Sequence, residues 1–414
     1  MLTDLFPKAH RRYSSLLLLG STMEEFVEFL IDQGYSRGSI RQHVRTALLV
    51  DRRLRKRGCR RVNQITHSRL RACVSPPQKK NEHIRLAATV RVLESYLAGL
   101  GVLSSSTPPS PIETLLMGYA AYLSEARGLA ASTIKLHLTT VSQFLKHIGE
   151  QGDHAQLRIL TTRELEGFVR AAGRRVGRGR MQHIVAQLRS YLRFLAGRGE
   201  TARGLDTQID TPRMYRGEQL PRSLPWQTVS ALLASVDRST PIGVRDYAIL
   251  LLIATYGLRG SEVAGLKLDN VQWRTGLLCV SRPKTATSLL LPLTDAVGES
   301  LVAYLRCGRP VVSYREIFVR HRAPAGALGR CGVNNAFQAW AKRSGLRIPF
   351  HGPHCLRHSY AVHLLRQGVS LKTIGDLLGH RSPESTCVYL RLDIEDLRDV
   401  ALSLPVTATQ EVQR

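Results

Sequence analysis

Residues 354–365 read His354-Cys-Leu-Arg-His-Ser-Tyr-Ala-Val-His-Leu-Leu, with Pro353 just before them. Leu356, Tyr360, Ala361, Leu364 and Leu365 share one face at helical spacing, which predicts an amphipathic helix. His354 and Arg357 stand at i and i+3 and project together from its first turn. A helix N-terminus already favours an anion, so this pair reads as a phosphate site. Two other readings stand beside it. His351, His354, Cys355 and His358 are dense metal ligands, and His354 and His358 have the i, i+4 spacing of a zincin helix. The glutamate that zincin chemistry needs is absent, and Arg357 would set a permanent cation beside the metal. The plainest reading is a basic helix with core histidines.

Downstream, Ser370-Leu-Lys-Thr-Ile-Gly-Asp-Leu-Leu-Gly-His380 predicts a second helix. Ser370 caps it, Ile374, Leu377 and Leu378 are its buried face, and Gly379 suits a left-handed stop. That fixes His380 just past the helix end. Ser382-Pro383-Glu384 opens another helix with Pro at its first position, and Tyr389 lies about two turns in. A phenol is a poor nucleophile near its ordinary pKa of about 10, so a reactive tyrosine needs help from its neighbours. Upstream, the apolar helix through Ala248–Ala254 breaks at Gly257 in Tyr256-Gly-Leu-Arg-Gly-Ser-Glu-Val. This turn displays Arg259, and Glu262 is placed to orient its guanidinium. Leu277–Ser281 and Leu289–Leu293 are short β-rich runs around Arg282-Pro-Lys-Thr, a hairpin.

Charge names the partner. Across 414 residues, 59 Lys and Arg face 32 Asp and Glu, a net charge of +27. Such a chain repels itself without a polyanion, which points to nucleic acid first and an anionic membrane surface second. The longest strongly apolar run, Ala248–Ala254, is far too short to span a bilayer. Leu16–Leu19 is too short for a leader and is followed by Glu24, Glu25 and Glu28. Seven widely spaced cysteines without a CxxC pair exclude a disulfide framework or zinc ribbon and suggest reduced, packing thiols in the cytoplasm. Neither a P-loop nor a clustered Asp/Glu set is visible.

Two stretches, Ser104–Pro111 and about 204–225, divide the chain into 1–103, 112–203 and 226–414. The first two segments align with each other. A shift of 94 places Gly34 on Gly128, Ile40 on Ile134 and His43 on His137. Shifts of 95 and 98 place Leu70 on Leu165 and Arg91 on Arg189. Both read as amphipathic helices, with Ser39 and Ser132 as N-caps, so 1–103 is expected to be a diverged copy of 112–203. It carries 19 basic against 8 acidic residues, a net +11. Arg52, Arg53, Arg55, Lys56, Arg57, Arg60 and Arg61 form a run whose only nearby acid is Asp51. Solvated faces usually mix signs, so phosphate contact is the preferred role over a merely solvated face.

The order Arg259, Lys284, His354-x-x-Arg357, Gly379-His380, Tyr389 resembles the tyrosine recombinase, or phage integrase, family. The intervals of 23 from Arg357 to His380 and 9 from His380 to Tyr389 fit it. The resemblance spans 226–395 strongly, and 112–203 is similar to that family's helical core-binding domain. It implies a mainly α fold: helical N-terminal DNA-binding domains and a mixed α+β catalytic domain with a small hairpin. It implies Arg259 and Arg357 as phosphate-clamping arginines, Lys284 as the hairpin lysine, His354 and His380 completing the pocket, and Tyr389 as nucleophile. It further implies double-stranded DNA sites as partners, a homotetramer in the synapse, no cofactor, no metal and no membrane. One departure is that Thr285-Ala-Thr-Ser288, after Lys284, carries no second basic residue. The long N-terminal segment is another, and it leans toward a mobile-element recombinase. A type IB topoisomerase and a silent DNA-binding homologue are the alternatives.

Overall fold

The computed structural model describes residues 1–74, 80–103, 110–149, 154–213, 220–282, 287–380 and 382–392. Helices dominate. After two short helices at Leu2–Leu5 and His10–Ser14 come α1 (Met23–Asp32), α2 (Arg37–Lys56), α3 (His67–Ala72) and α4 (Lys80–Gly99). α5 (Pro111–Ala121), α6 (Ala131–Ile148), α7 (Thr162–Gly173) and α8 (Arg178–Gly197) follow. α9 (Trp226–Ala234), α10 (Pro241–Tyr256) and α11 (Gly260–Ala264) lead into an antiparallel sheet of β1 (Val271–Gln272), β2 (Leu277–Arg282) and β3 (Thr287–Pro292), in that order. Then come α12 (Asp295–Ala303), α13 (Gly329–Arg343), α14 (His354–Arg366), α15 (Leu371–Leu378), α16 (Glu384–Cys387) and a 3-10 turn at Val388–Leu392.

The expected elements are present, with local shifts. Ser39 and Ser132 lie inside α2 and α6 rather than at their caps. Ser36 takes the first role, its hydroxyl accepting from the Ser39 N–H at 3.3 Å. Ala130, without a side-chain cap, precedes α6. The proline-rich stretch ends by starting a helix: Ser110 accepts from the Glu113 N–H at 3.2 Å, and Glu113 accepts from the Ser110 N–H at 2.8 Å. With Pro111 at the first helical position, this is a reciprocal cap. Pro383 precedes α16 instead of opening it. The hairpin gains a third strand, β1, paired to β2 through Val271 and Leu278. Residues 104–109, and the apolar pattern and tail read over 393–414, lie outside the described residues.

The chain divides into two compact units. One comprises Leu54–Pro76 and Leu97–Glu218. Its core joins α5 to α8 through Leu115, Tyr119, Phe144, Leu165, Leu188 and Tyr191. Two polar pairs lie inside it: Tyr119 donates to Ser190 Oγ at 3.0 Å, and Thr140 donates to Gln187 Oε1 at 2.7 Å.

The other unit comprises Met1–Arg53, Pro77–Tyr96 and Gln219–Arg414. In its N-terminal part Leu18 and Leu19 are core residues. The buried Asp51 carboxylate accepts from their N–H groups at 3.0 and 3.1 Å. The lone acid before the basic run is therefore a structural acceptor. In the C-terminal part α10 is enclosed, with every residue of Ala248–Ala254 buried. Each such leucine or isoleucine contributes about 1.5–3 kcal/mol of burial. α14 packs against α10, and α15 packs against α14. That stacking brings the end of α15 to the turn after α10. No helix among the described residues is long and apolar enough to cross a membrane.

Candidate active site

α10 stops at Gly257, φ +62°. A β-carbon there would lie 2.7 Å from Leu378 Cδ2 and Tyr360 Cδ1, so only glycine fits. Arg259 follows at the N-cap of α11, whose third residue is Glu262. The buried Glu262 carboxylate accepts from the Arg259 N–H at 2.7 Å and from its Nη1 at 2.6 Å. The orienting contact expected of Glu262 is in place. Arg259 Nη2 donates to the Gly379 carbonyl at 3.4 Å.

Arg357, on the first turn of α14, is only 2% exposed. Its Nη1 donates to the Gly257 carbonyl at 2.6 Å and its Nη2 to the Leu378 carbonyl at 2.5 Å. Burial, then the charge of Arg259, pushes its pKa down to about 10, against the pull of Glu262. It remains a cation at neutral pH.

A third arginine was passed over in the sequence as part of a turn. Arg282 ends β2, buried, with Nη1 donating to the Asp376 carbonyl at 3.3 Å and Nη2 to the Leu377 carbonyl. Strand alternation could have found it, because Leu278, Val280 and Arg282 are the buried residues of β2. The last carbonyls of a helix lack their usual i+4 donors, and that of Asp376 accepts from the Gly379 N–H at 3.0 Å instead. Here three arginines from three elements supply donors to them, at the negative end of α15. Gly379, φ +64°, allows this approach, since a β-carbon would collide with the Arg282 guanidinium.

His380 leaves this corner with Nδ1 2.8 Å from Thr386 Oγ1. Burial, then Arg357 and Arg259, pushes it down to about 4, so it is neutral. Tyr389, on the 3-10 turn, is 1% exposed and packs with Ala361, Val362, Ile374 and Leu378. Its ring is stacked with His380 at a centroid distance of 6.3 Å. Burial raises its pKa, and Arg357 and Arg259 draw it back. Its hydroxyl lies 3.0 Å from Nδ1 of His358, which burial and then His354, Arg357, His380 and Arg222 push down to about 4. His354, exposed at the helix start, meets His358 edge-on at 4.4 Å.

Arg259, Glu262, Arg357, His380 and Tyr389 thus converge at the end of α15, with His354 joined through His358. Lys284 lies outside the described residues. The metal reading of α14 gains nothing. Among the described residues no three His, Cys, Asp or Glu side chains could hold an ion, and the buried Cys355 thiol is pushed up to about 12. Of the basic run, Arg52, Arg55, Lys56, Arg57, Arg60 and Arg61 are exposed and Arg53 half-exposed, at the end of α2 and just beyond. They take no part in this corner.

The corner thus gathers a buried phenol, the neutral imidazoles of His358 and His380, and two guanidiniums fixed on backbone carbonyls. Residues 222–395 match the Phage integrase family, and residues 116–199 match the Phage integrase N-terminal SAM-like domain. The chain belongs to this family and is a tyrosine-type site-specific DNA recombinase. It is 33% identical over 383 residues to the putative integrase/recombinase y4rA of Sinorhizobium fredii, covering 92% of this chain and 93% of that protein. It is 31% identical to the tyrosine recombinase XerD of Listeria monocytogenes, covering 69% of this chain and 96% of that one. The fold resembles a lambda integrase dimer bound to a COC′ core site, with a TM-score of 0.53 at 17% identity, covering 77% of this chain and 89% of that one. It also resembles XerH bound to a palindromic difH substrate, at 0.52 and 18%, covering 71% and 97%.

Proposed function

We propose that Tyr389 attacks one phosphodiester of a DNA site, leaving a 3′-phosphotyrosyl link and a free 5′-hydroxyl. The carrying observation is the corner itself: Arg259 and Arg357 held by backbone carbonyls beside Tyr389 and His380. Cleaving a phosphodiester builds charge on its non-bridging oxygens, and preorganised cations stabilise that charge most where water is excluded. Planar guanidiniums suit two oxygens at once. In this reading Glu262 orients Arg259, His354 and His380 complete the pocket, and Lys284 protonates the departing 5′-oxygen. The energy of the broken bond is kept in the phosphotyrosine, so attack by a second strand's hydroxyl reverses the step without ATP.

The wider assignment is part of the same proposal. Residues 112–203 grip the core of the DNA site, and 1–103 are a diverged copy of them. The elements support this. α2 and α6, α3 and α7, and α4 and α8 start 94, 95 and 98 residues apart, the same shifts that align the sequences. The exposed run Arg52, Arg53, Arg55, Lys56, Arg57, Arg60 and Arg61 tracks phosphates. The working unit is a homotetramer on two double-stranded DNA sites, serving the movement of a mobile element.

A two-site plasmid assay tests the reaction class. Exchange between paired sites on one plasmid is expected. Relaxation of supercoils by monomers without any exchange would instead favour a topoisomerase.

A further inference from the structure

Among the described residues, the Tyr389 hydroxyl has one hydrogen-bonding side chain placed on it, and it is neither His354 nor His380. It is His358, with Nδ1 at 3.0 Å and the two rings 5.6 Å apart. Tyr389 is 1% exposed, which leaves little solvent in place to take its proton. His380, although stacked on the phenol ring, has its Nδ1 on Thr386. A cavity of about 400 Å³, lined by Arg222, Phe350, His354 and Val388 among others, opens beside the His358 ring.

We propose that His358 is a further catalytic residue, whose Nδ1 accepts the Tyr389 proton while Oη bonds to phosphorus. The inference rests on Tyr389 being the nucleophile. The step balances as follows. The Oη–P bond forms and the P–O5′ bond breaks. The electron pair leaves with O5′, which takes its proton from the acid on the leaving side, Lys284 in the reading above. The tyrosine proton passes to His358, and the imidazolium returns it when a strand hydroxyl reverses the reaction.

The charges around the ring make the transfer conditional on DNA. His354, Arg357, His380 and Arg222 all disfavour an imidazolium at His358, and burial does so first. The ring is therefore neutral, and in the tautomer that carries its proton on Nε2 the Nδ1 lone pair faces the phenol. The phenol, raised by burial, keeps its proton in the resting protein. A docked phosphodiester brings negative charge beside Arg357 and Arg222 and raises the imidazole's proton affinity. Bond formation to phosphorus at the same moment strips the phenol oxygen of its basicity.

The test uses the full chain and a nicked suicide substrate, with covalent adduct formation followed in a single turnover. His358→Ala should slow it by about 10²–10⁴-fold, the range for loss of a positioned base, while the protein still binds DNA. Replacing Tyr389 by 3,5-difluorotyrosine, a more acidic phenol, should recover at least tenfold of that loss in His358→Ala and change the parent far less. Added imidazole, admitted through the neighbouring cavity, should recover rate in the same variant. Equal effects of fluorination in both backgrounds would reduce His358 to a structural prop. A faster variant would make it a restraint. Either outcome overturns the proposal. Should His358→Ala fail to bind DNA, His358→Gln carries the same comparison. Adducts persisting in Tyr389→Phe would instead overturn the nucleophile assignment.

Discussion

Arg357 is a large side chain with almost no contact with solvent, and each of its terminal nitrogens is spent on a different backbone carbonyl. A lysine there would keep the charge and lose the fork. Arg357→Lys should therefore slow adduct formation by about 10² or more, the scale of losing one transition-state donor. Single-turnover cleavage checks this, and a near-parental rate would mean that charge alone suffices. Arg259, Arg357 and His380 were legible in the sequence because each sits at a boundary that local rules predict: a glycine turn, a helix start, a left-handed stop; Tyr389 stood out only by its interval of 9 from His380. Arg282 was not legible, since its meaning comes from carbonyls about 95 residues away. His358 was visible only as a candidate ligand or core histidine. Its hydroxyl partner lies 31 residues on and is brought to it by the packing of α14 against the final 3-10 turn.

The C-terminus of α15 is the element on which the site turns. Three arginines from the α10–α11 turn, β2 and α14 meet its last carbonyls, so the helix end fixes both the clamp and the departure of His380. Gly379→Ala attacks that junction twice, through a left-handed φ and a collision with Arg282. It should cost about 1–3 kcal/mol of stability, as strained backbone positions do. It should also depress cleavage beyond what the lost stability explains. Denaturant midpoints beside single-turnover rates measure the two separately, and a variant with parental values in both would contradict the junction's role. Helix existence and the two hairpin strands were readable from periodicity. The caps were misplaced by two or three residues: Ser36 rather than Ser39 caps α2, and Ala130, with no capping side chain, precedes α6. The third strand, two residues long, has no periodic signal at all.

At the scale of the whole molecule, the net charge of +27 divides into a few cations fixed on one corner and many that face water. The second class should bind DNA through counterion release, without regard to sequence. Replacing Arg52, Arg55, Lys56, Arg57, Arg60 and Arg61 by glutamine should weaken specific and non-specific DNA alike. It should also lower the slope of log K against log salt by about 0.9 for each phosphate contact removed. Anisotropy titrations over a salt series check this, and an unchanged slope would show that the run is only a solvated surface. The offsets of 94, 95 and 98 read in the sequence recur between the starts of α2–α4 and those of α6–α8. The division into units was less legible: 1–103 is shared between both, because contacts, not sequence order, decide compactness.

The central claim is that this corner makes a covalent bond to DNA through one phenol. The most direct measurement is denaturing gel analysis of full-length protein incubated with a nicked suicide substrate. Parental protein should give a shifted protein–DNA adduct whose DNA-linked peptide contains Tyr389. Tyr389→Phe should give none while still retarding the same DNA on a native gel. An adduct formed by Tyr389→Phe, or one mapped to another residue, would contradict the claim.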